Sequence, residues 1–217
     1  MKFLVTIILF GNITFNTYAV DFMLGKIVLK DGTEYIGLLK PPTNKWEEEV
    51  KYKASENSSI ENVKSSLIDE ITFNYKGQDH RLIYKEVWVP KNQNPKSEKD
   101  YKIKKAFWSI EVVSGYVTLY AQVGNWKFDN SGNLLMNLGS LEGSSDIYYY
   151  AQKEGLKKPA FVGYYSINMM GQMKTMITYV SHFIFDHTEL VARVKNEEFT
   201  TKEIELIFRL YNQWKSD

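Results

Sequence analysis

The 217-residue chain contains no cysteine. That excludes a disulfide framework, thiol nucleophiles, thiolate metal sites and a lipid-modified N-terminal cysteine. Histidine is scarce, with only His80, His182 and His187. His182 and His187 are five apart across a helix boundary, whereas a helical zinc pair wants i, i+4. His187 falls at a helix N-terminus, where the dipole disfavours the protonated form. His80 lies between Asp79 and Arg81 and reads as a solvated turn residue. Metal ligands are therefore none, and nothing calls for a cofactor. Gly-x-Ser-x-Gly is missing, and Ser114 sits in a turn with no readable base, so catalytic residues are none by this reading.

An apolar run of membrane length is also missing. The one sustained apolar run, Phe3–Phe10, is too short to span a bilayer; it follows Met1-Lys2 and precedes Thr17-Tyr18-Ala19. This pattern predicts a secretory signal peptide over residues 1–19, cleaved after Ala19; an uncleaved anchor is the alternative, disfavoured by the shortness of the run. Removing residues 1–19 takes away Lys2 and leaves 26 basic and 26 acidic residues. With no net charge and no basic block, nucleic acid and anionic membranes are poor partners. The expected location is exported, periplasmic or extracellular at the cell surface, with no transmembrane span in the mature chain.

Aromatic residues are abundant, with fifteen Tyr and five Trp, which favours half-buried pleated structure. Leu24–Leu39 predicts a hairpin about Asp31-Gly32, read as a type I′ turn, with Pro41-Pro42 ending the second strand. Residues 43–66 are polar, with a short strand at Val50–Lys53 and loop elsewhere. Leu67–Tyr75 and Arg81–Val89 pair across a turn at residues 76–79. Pro90–Asp100 reads as a surface loop. Ile103–Val113 and Tyr116–Gln122 form a second hairpin, with Trp108, Ile110 and Val112 facing the core. Asn125–Ser145 reads as a long loop around Leu134–Met136, and Asp146–Lys153 and Pro159–Ile167 are the last strands.

After Asn168 the apolar period changes from 2 to 3.6. Met169, Met173, Met176, Ile177, Val180, Phe183 and Ile184 form one stripe. Leu190, Val191 and Val194 form a second; Ile204, Ile207, Phe208, Tyr211 and Trp214 a third. Two capping boxes mark the later helix starts: Asp186 with Glu189, and Thr200 with Glu203. Each carries a hydrophobic staple, Phe185 on Leu190 and Phe199 on Ile204. The fold class expected is α+β: an antiparallel β-sheet or small barrel-like body over residues 20–167, then a helical segment over 168–217 packed on it within one domain.

Candidate chemistry is sparse. Glu47-Glu48-Glu49 and Glu197-Glu198 read as solvated loop charges. Gly139–Ser145 lacks the Lys-Ser/Thr ending of a phosphate loop. Asp129–Asn133 has calcium-like residue types in the wrong register and reads as a turn. The one suggestive surface is aromatic. Trp126, Tyr148 and Tyr150 are the candidate ligand-binding residues, because Tyr and Trp make good platforms for sugars and peptides.

Two resemblances complete the reading. The hairpin Gly25-x-Ile-x-Leu-x-Asp-Gly-x-x-x-x-Gly-x-Leu39 is similar to the first strands of Sm-like and other small barrels. The Asp and Asn ligands of that family are replaced by Pro41-Pro42, so no RNA-binding residue is carried over. That hairpin, followed by Phe107-x-x-x-Glu-Val-Val-x-Gly-x-Val-x-Leu-Tyr120, a Tyr-Tyr strand and Phe185-Asp-x-x-Glu-Leu190, also resembles a set of uncharacterised exported β-rich proteins of Bacteroidetes-type bacteria. In those the last block reads Phe-x-Asp-Cys-Pro-x-Leu, and here His187 and Thr188 stand where Cys-Pro would be. The resemblance implies export and a β-rich architecture without a mechanism. The functional expectation is an exported non-catalytic protein binding a peptide, glycan or envelope protein partner. The alternative is a periplasmic or secreted hydrolase whose carboxylates converge only in three dimensions.

Overall fold

The computed structural model describes residues 22–92, 98–136, 146–167 and 169–217, so the expected signal peptide and the Gly139–Ser145 stretch lie outside the described residues. β1 (Met23–Leu29) and β2 (Glu34–Lys40) make the expected first hairpin. Its turn differs from the type I′ expectation. Gly32 alone has positive φ, at 86°. The Asp31 carboxylate accepts the Thr33 N–H at 2.9 Å, and Leu29 closes the turn with Thr33 and Gly32. This is a longer turn ending in a left-handed glycine, and the local Asp bond spares Asp31 a left-handed backbone. The type I′ pair is Lys76-Gly77, with φ 54° and 82°. It joins β5 (Ile68–Tyr75) to β6 (Gln78–Pro90), with Tyr75 opposite Gln78.

The other main strands are β3 (Glu49–Lys53), β4 (Glu61–Lys64), β7 (Tyr101–Val113), β8 (Val117–Gln122), β11 (Ile147–Lys153) and β12 (Ala160–Tyr165). They form one ten-stranded sheet in the order β12-β11-β8-β7-β6-β5-β1-β2-β3-β4. Successive neighbours are antiparallel, but the sheet bends until β12 meets β6 in parallel at Ala160–Trp88. There the Trp88 N–H donates to Pro159 O at 2.8 Å. Five strands thereby close into a ring, and the body is a large mixed sheet, where an antiparallel sheet or small barrel-like body was expected. Register breaks in β6–β7, β7–β8 and β11–β12 supply the bend, since a bulge sharpens local twist. Two stretches expected as loop carry strands: β4, and a small separate hairpin of β9 (Trp126–Phe128) and β10 (Leu134–Met136).

Register sorts the side chains into two faces. Ile27, Ile71, Leu82, Ile110, Ala121 and Tyr149 are opposed in sequence across the strands and all are buried. One residue along, Lys26, Thr72 and Arg81 are opposed in the same way, and further across Glu111, Tyr120 and Tyr150. The first face builds two apolar cores. One gathers Ile27, Leu39, Ile71, Leu82, Trp108 and Ile110 under the first strands. The other holds Leu119, Tyr149 and Val162 beneath the helices.

Those helices are α1 (Gln172–Phe183), α2 (Thr188–Lys195) and α3 (Ile204–Ser216). Their stripes bury as expected at Met176, Val180, Ile184, Leu190, Val194, Ile204, Ile207, Phe208 and Tyr211. Each such side chain contributes about 1.5–3 kcal/mol of transfer free energy. Met169 and Trp214, at the stripe ends, are 44% and 40% exposed. No helix among the described residues is long and apolar enough to cross a membrane.

The second capping box forms: the Glu203 carboxylate accepts the Thr200 N–H and hydroxyl, each at 2.8 Å, and Phe199 and Ile204 are buried in one cluster. It opens a short 3₁₀ turn, Thr201–Glu203, that runs into α3. The first box does not form. His187 is the N-cap of α2, its Nδ1 3.5 Å from the Leu190 N–H, and Phe185 is 66% exposed, not stapled on Leu190. Asp186 turns instead to α3, accepting from Tyr211 Oη at 2.7 Å and Lys215 Nζ at 2.6 Å. A charge-assisted bond to an ammonium outcompetes a neutral amide as the partner of a carboxylate.

Candidate functional site

An open groove of about 880 Å³ lies on the molecule. It runs over the second face of the sheet, from Leu24 and Lys26 on β1 and Ile36 on β2, across Thr72, Asn74, Asp79 and Arg81, to Glu111 on β7 and Arg209 on α3. Leu24 and Ile36 are 66% and 67% exposed, apolar side chains presented to solvent at the groove wall. Gly25, which also lines the groove, can carry no side chain, because a Cβ there would stand 2.4 Å from Thr72 O.

The floor is an ionic network. The Arg81 guanidinium lies between two carboxylates, bonded to Glu70 Oε2 at 2.5 Å and to Glu111 Oε2 at 2.6 Å. The second oxygen of Glu111 accepts from the Ser114 hydroxyl. Burial alone would lower the Arg81 pKa, but the Glu70 hydrogen bond and the two carboxylate charges push it above its ordinary value. Burial lifts the neighbouring Tyr120 phenol to about 12, with Arg81 opposing that rise and Glu111 and Glu70 adding to it. Arg209, on the far wall, donates to Val112 O at 3.0 Å and keeps a 3.8 Å contact with Glu205.

His80 is half-buried in β6 and is not the solvated turn residue expected. Its Nε2 lies 3.0 Å from Gly132 O, and its ring packs 4.6 Å from Phe128 and 5.3 Å from Phe73. The β9–β10 hairpin folds down upon it, and burial lowers its pKa, with Gly132 and Asp79 opposing. Glu47 likewise departs from the loop-charge reading. Its Oε2 accepts the Thr43 N–H at 2.8 Å, and its carbonyl accepts Trp108 Nε1 at 3.0 Å. Asp129 closes a plain turn, accepting the Ser131 and Asn133 N–H groups at 2.8 Å.

The three aromatic candidates do not form one surface. Trp126 is 3% exposed and Tyr150 1%. Trp126 packs in the core of the first strands. Tyr150 packs on Phe107 and Phe161. Only Tyr148 is partly open, its hydroxyl 3.3 Å from Asp146 and its ring 6.0 Å from Tyr164. Closure of the ring of strands turns both faces of β11 inward, which alternation along one strand does not report. The ion-paired residues of the floor escape the sequence reading because each is a single charge within a strand. A signal was present: Glu111 and Arg81 stand mid-strand beside apolar runs, where an unpaired charge would be costly.

Chemically, the network has its acids already engaged. Ser114 has a carboxylate partner, but that carboxylate is also held by a guanidinium. No family model, curated protein or solved structure matched this chain.

Proposed function

We propose that the chain is an exported, non-catalytic binding protein whose groove takes an extended peptide segment of an envelope protein partner. The observation that carries this reading is the pairing of two solvent-facing aliphatic side chains, Leu24 and Ile36, with a polar floor whose charges are internally neutralised. Exposed apolar residues rimmed by polar ones mark an interaction surface. A floor with paired charges offers hydrogen bonds without demanding a charged ligand. The compositional signs of export and the lack of net charge agree with a protein partner.

The hydrolase alternative has one observation of its own. Glu111 and Ser114 line this groove, and Glu70 joins them through Arg81. Arg81 between the two acids opposes it, since its guanidinium already occupies the carboxylate oxygens that would have to reach a substrate.

A photo-crosslinking residue placed at Ile36 in the exported protein should capture a discrete partner, and one at Trp46, exposed outside the groove, should not. Ile36→Asp should weaken recovery of that partner about tenfold, the loss of one apolar anchor, with no change in thermal stability. Equal capture from both positions would overturn the reading. So would turnover of acyl or glycosyl chromogenic substrates that Glu111→Gln abolishes.

A further inference from the structure

Apart from the groove, the start of α2 and the end of α3 build a site of a different kind. The Lys215 ammonium sits 4.5 Å from the Trp214 ring centre, 4.9 Å from Tyr116 and 5.6 Å from Tyr211. The rings pack on one another: Tyr211 lies 5.8 Å from Trp214 and 6.2 Å from Tyr116, and His187 stacks 4.4 Å from Trp214. Asp186 closes the remaining side at 2.6 Å from the ammonium. Three aromatic faces and one carboxylate around a cation is the composition that recognises ammonium groups.

The molecule forgoes local stability to assemble it. Asp186 is diverted from a well-formed capping position, and His187 is left to cap α2 over a long 3.5 Å contact. A breach of a strong local rule is where function is to be sought. Tyr116 and Trp214 remain 45% and 40% exposed, so the cage opens to solvent.

We propose that Tyr116, Tyr211, Trp214 and Asp186 form an ammonium-binding cage held closed by Lys215, and that its external ligand is a quaternary or methylated ammonium. A primary ammonium suits this cage poorly. It is strongly hydrated, and the rings accept none of its N–H bonds well, leaving Asp186 as its strong partner. A quaternary ammonium has no N–H to satisfy and sheds water more easily. Lys215 holds the site through its tether, which presents it at an effective concentration in the millimolar range or above.

Calorimetric titration with tetramethylammonium chloride, at constant ionic strength against sodium chloride, tests the cage. Lys215→Ala should bind saturably, at least about tenfold more tightly than the unaltered protein once the tethered competitor is gone. Adding Trp214→Leu should abolish that binding. Sedimentation of Lys215→Ala with phosphatidylcholine vesicles, compared with phosphatidylglycerol vesicles, separates a lipid headgroup from a free amine as the source. If Lys215→Ala fails to fold, Lys215→Gln carries the same titration, and the Trp214 indole resonance of the unaltered protein is followed at high tetramethylammonium. The absence of a saturable response in the folded variant and in the unaltered protein overturns the proposal.

Discussion

Single side chains in this protein take partners that their neighbours in sequence do not suggest. Asp186 has the ideal spacing to Glu189 for a capping box, yet bonds Tyr211 and Lys215, 25 and 29 residues further along the chain. Thr200 and Glu203, with the same spacing, behave as written. The difference is competition: an ammonium is within reach of Asp186. His80 is the sharper case, because only the folding of β9–β10 over it removes its solvent. Burial holds its pKa below the ordinary 6.5, so the unfolded chain takes up a proton first as pH falls. Stability is full above that value and declines as pH drops through 6.5 towards the folded pKa. The urea midpoint of the protein should therefore fall between pH 7.5 and 5, and His80→Gln should flatten that slope. An unchanged slope would mean that another group carries it.

Among elements, the hairpins and helices were legible, and the details of their joints were not. Ile27 to Tyr35 alternation and the turn residues predict β1 and β2. Whether Asp31-Gly32 or Lys76-Gly77 takes the type I′ geometry depends on how many residues each pair of strands leaves to the turn, which register decides. The docking of α3 rests on a residue that no pattern flags. Asn212 is buried, and its Oδ1 accepts the Val117 N–H at 2.8 Å while its Nδ2 donates to Val117 O at 2.8 Å and Ser114 O at 3.1 Å. It completes the β7–β8 turn as a strand neighbour would. Asn212→Ala should cost about 2 kcal/mol, the cost of leaving a buried N–H without an acceptor. That should lower the melting temperature by about 4–8 °C in a chain of this size. Calorimetry checks it, and a loss under 1 °C would show that water replaces the amide.

At the scale of the molecule, strands and helices share one construction. Val117, Leu119, Tyr149 and Val162 of the sheet are buried only because α1 and α3 lie over them. Urea unfolding followed by tryptophan fluorescence and by far-ultraviolet circular dichroism should coincide, and a chain ending at residue 167 should bind hydrophobic dye or aggregate. Two separated transitions would show the helices to be an independent unit. What the sequence determined by itself was local: hydrophobic period, caps, turn residues, the absence of thiols and a net charge of only +1. These depend on residues within a turn or two of one another. The tertiary structure alone decided the parallel meeting of β12 with β6, the burial of Trp126 and Tyr150, the meeting of Glu70 and Glu111 on Arg81, and the caging of Lys215. Each joins residues far apart in the chain. Such contacts arise from the register, bulges and bend of a whole sheet, a sum over many weak choices that no single stretch encodes.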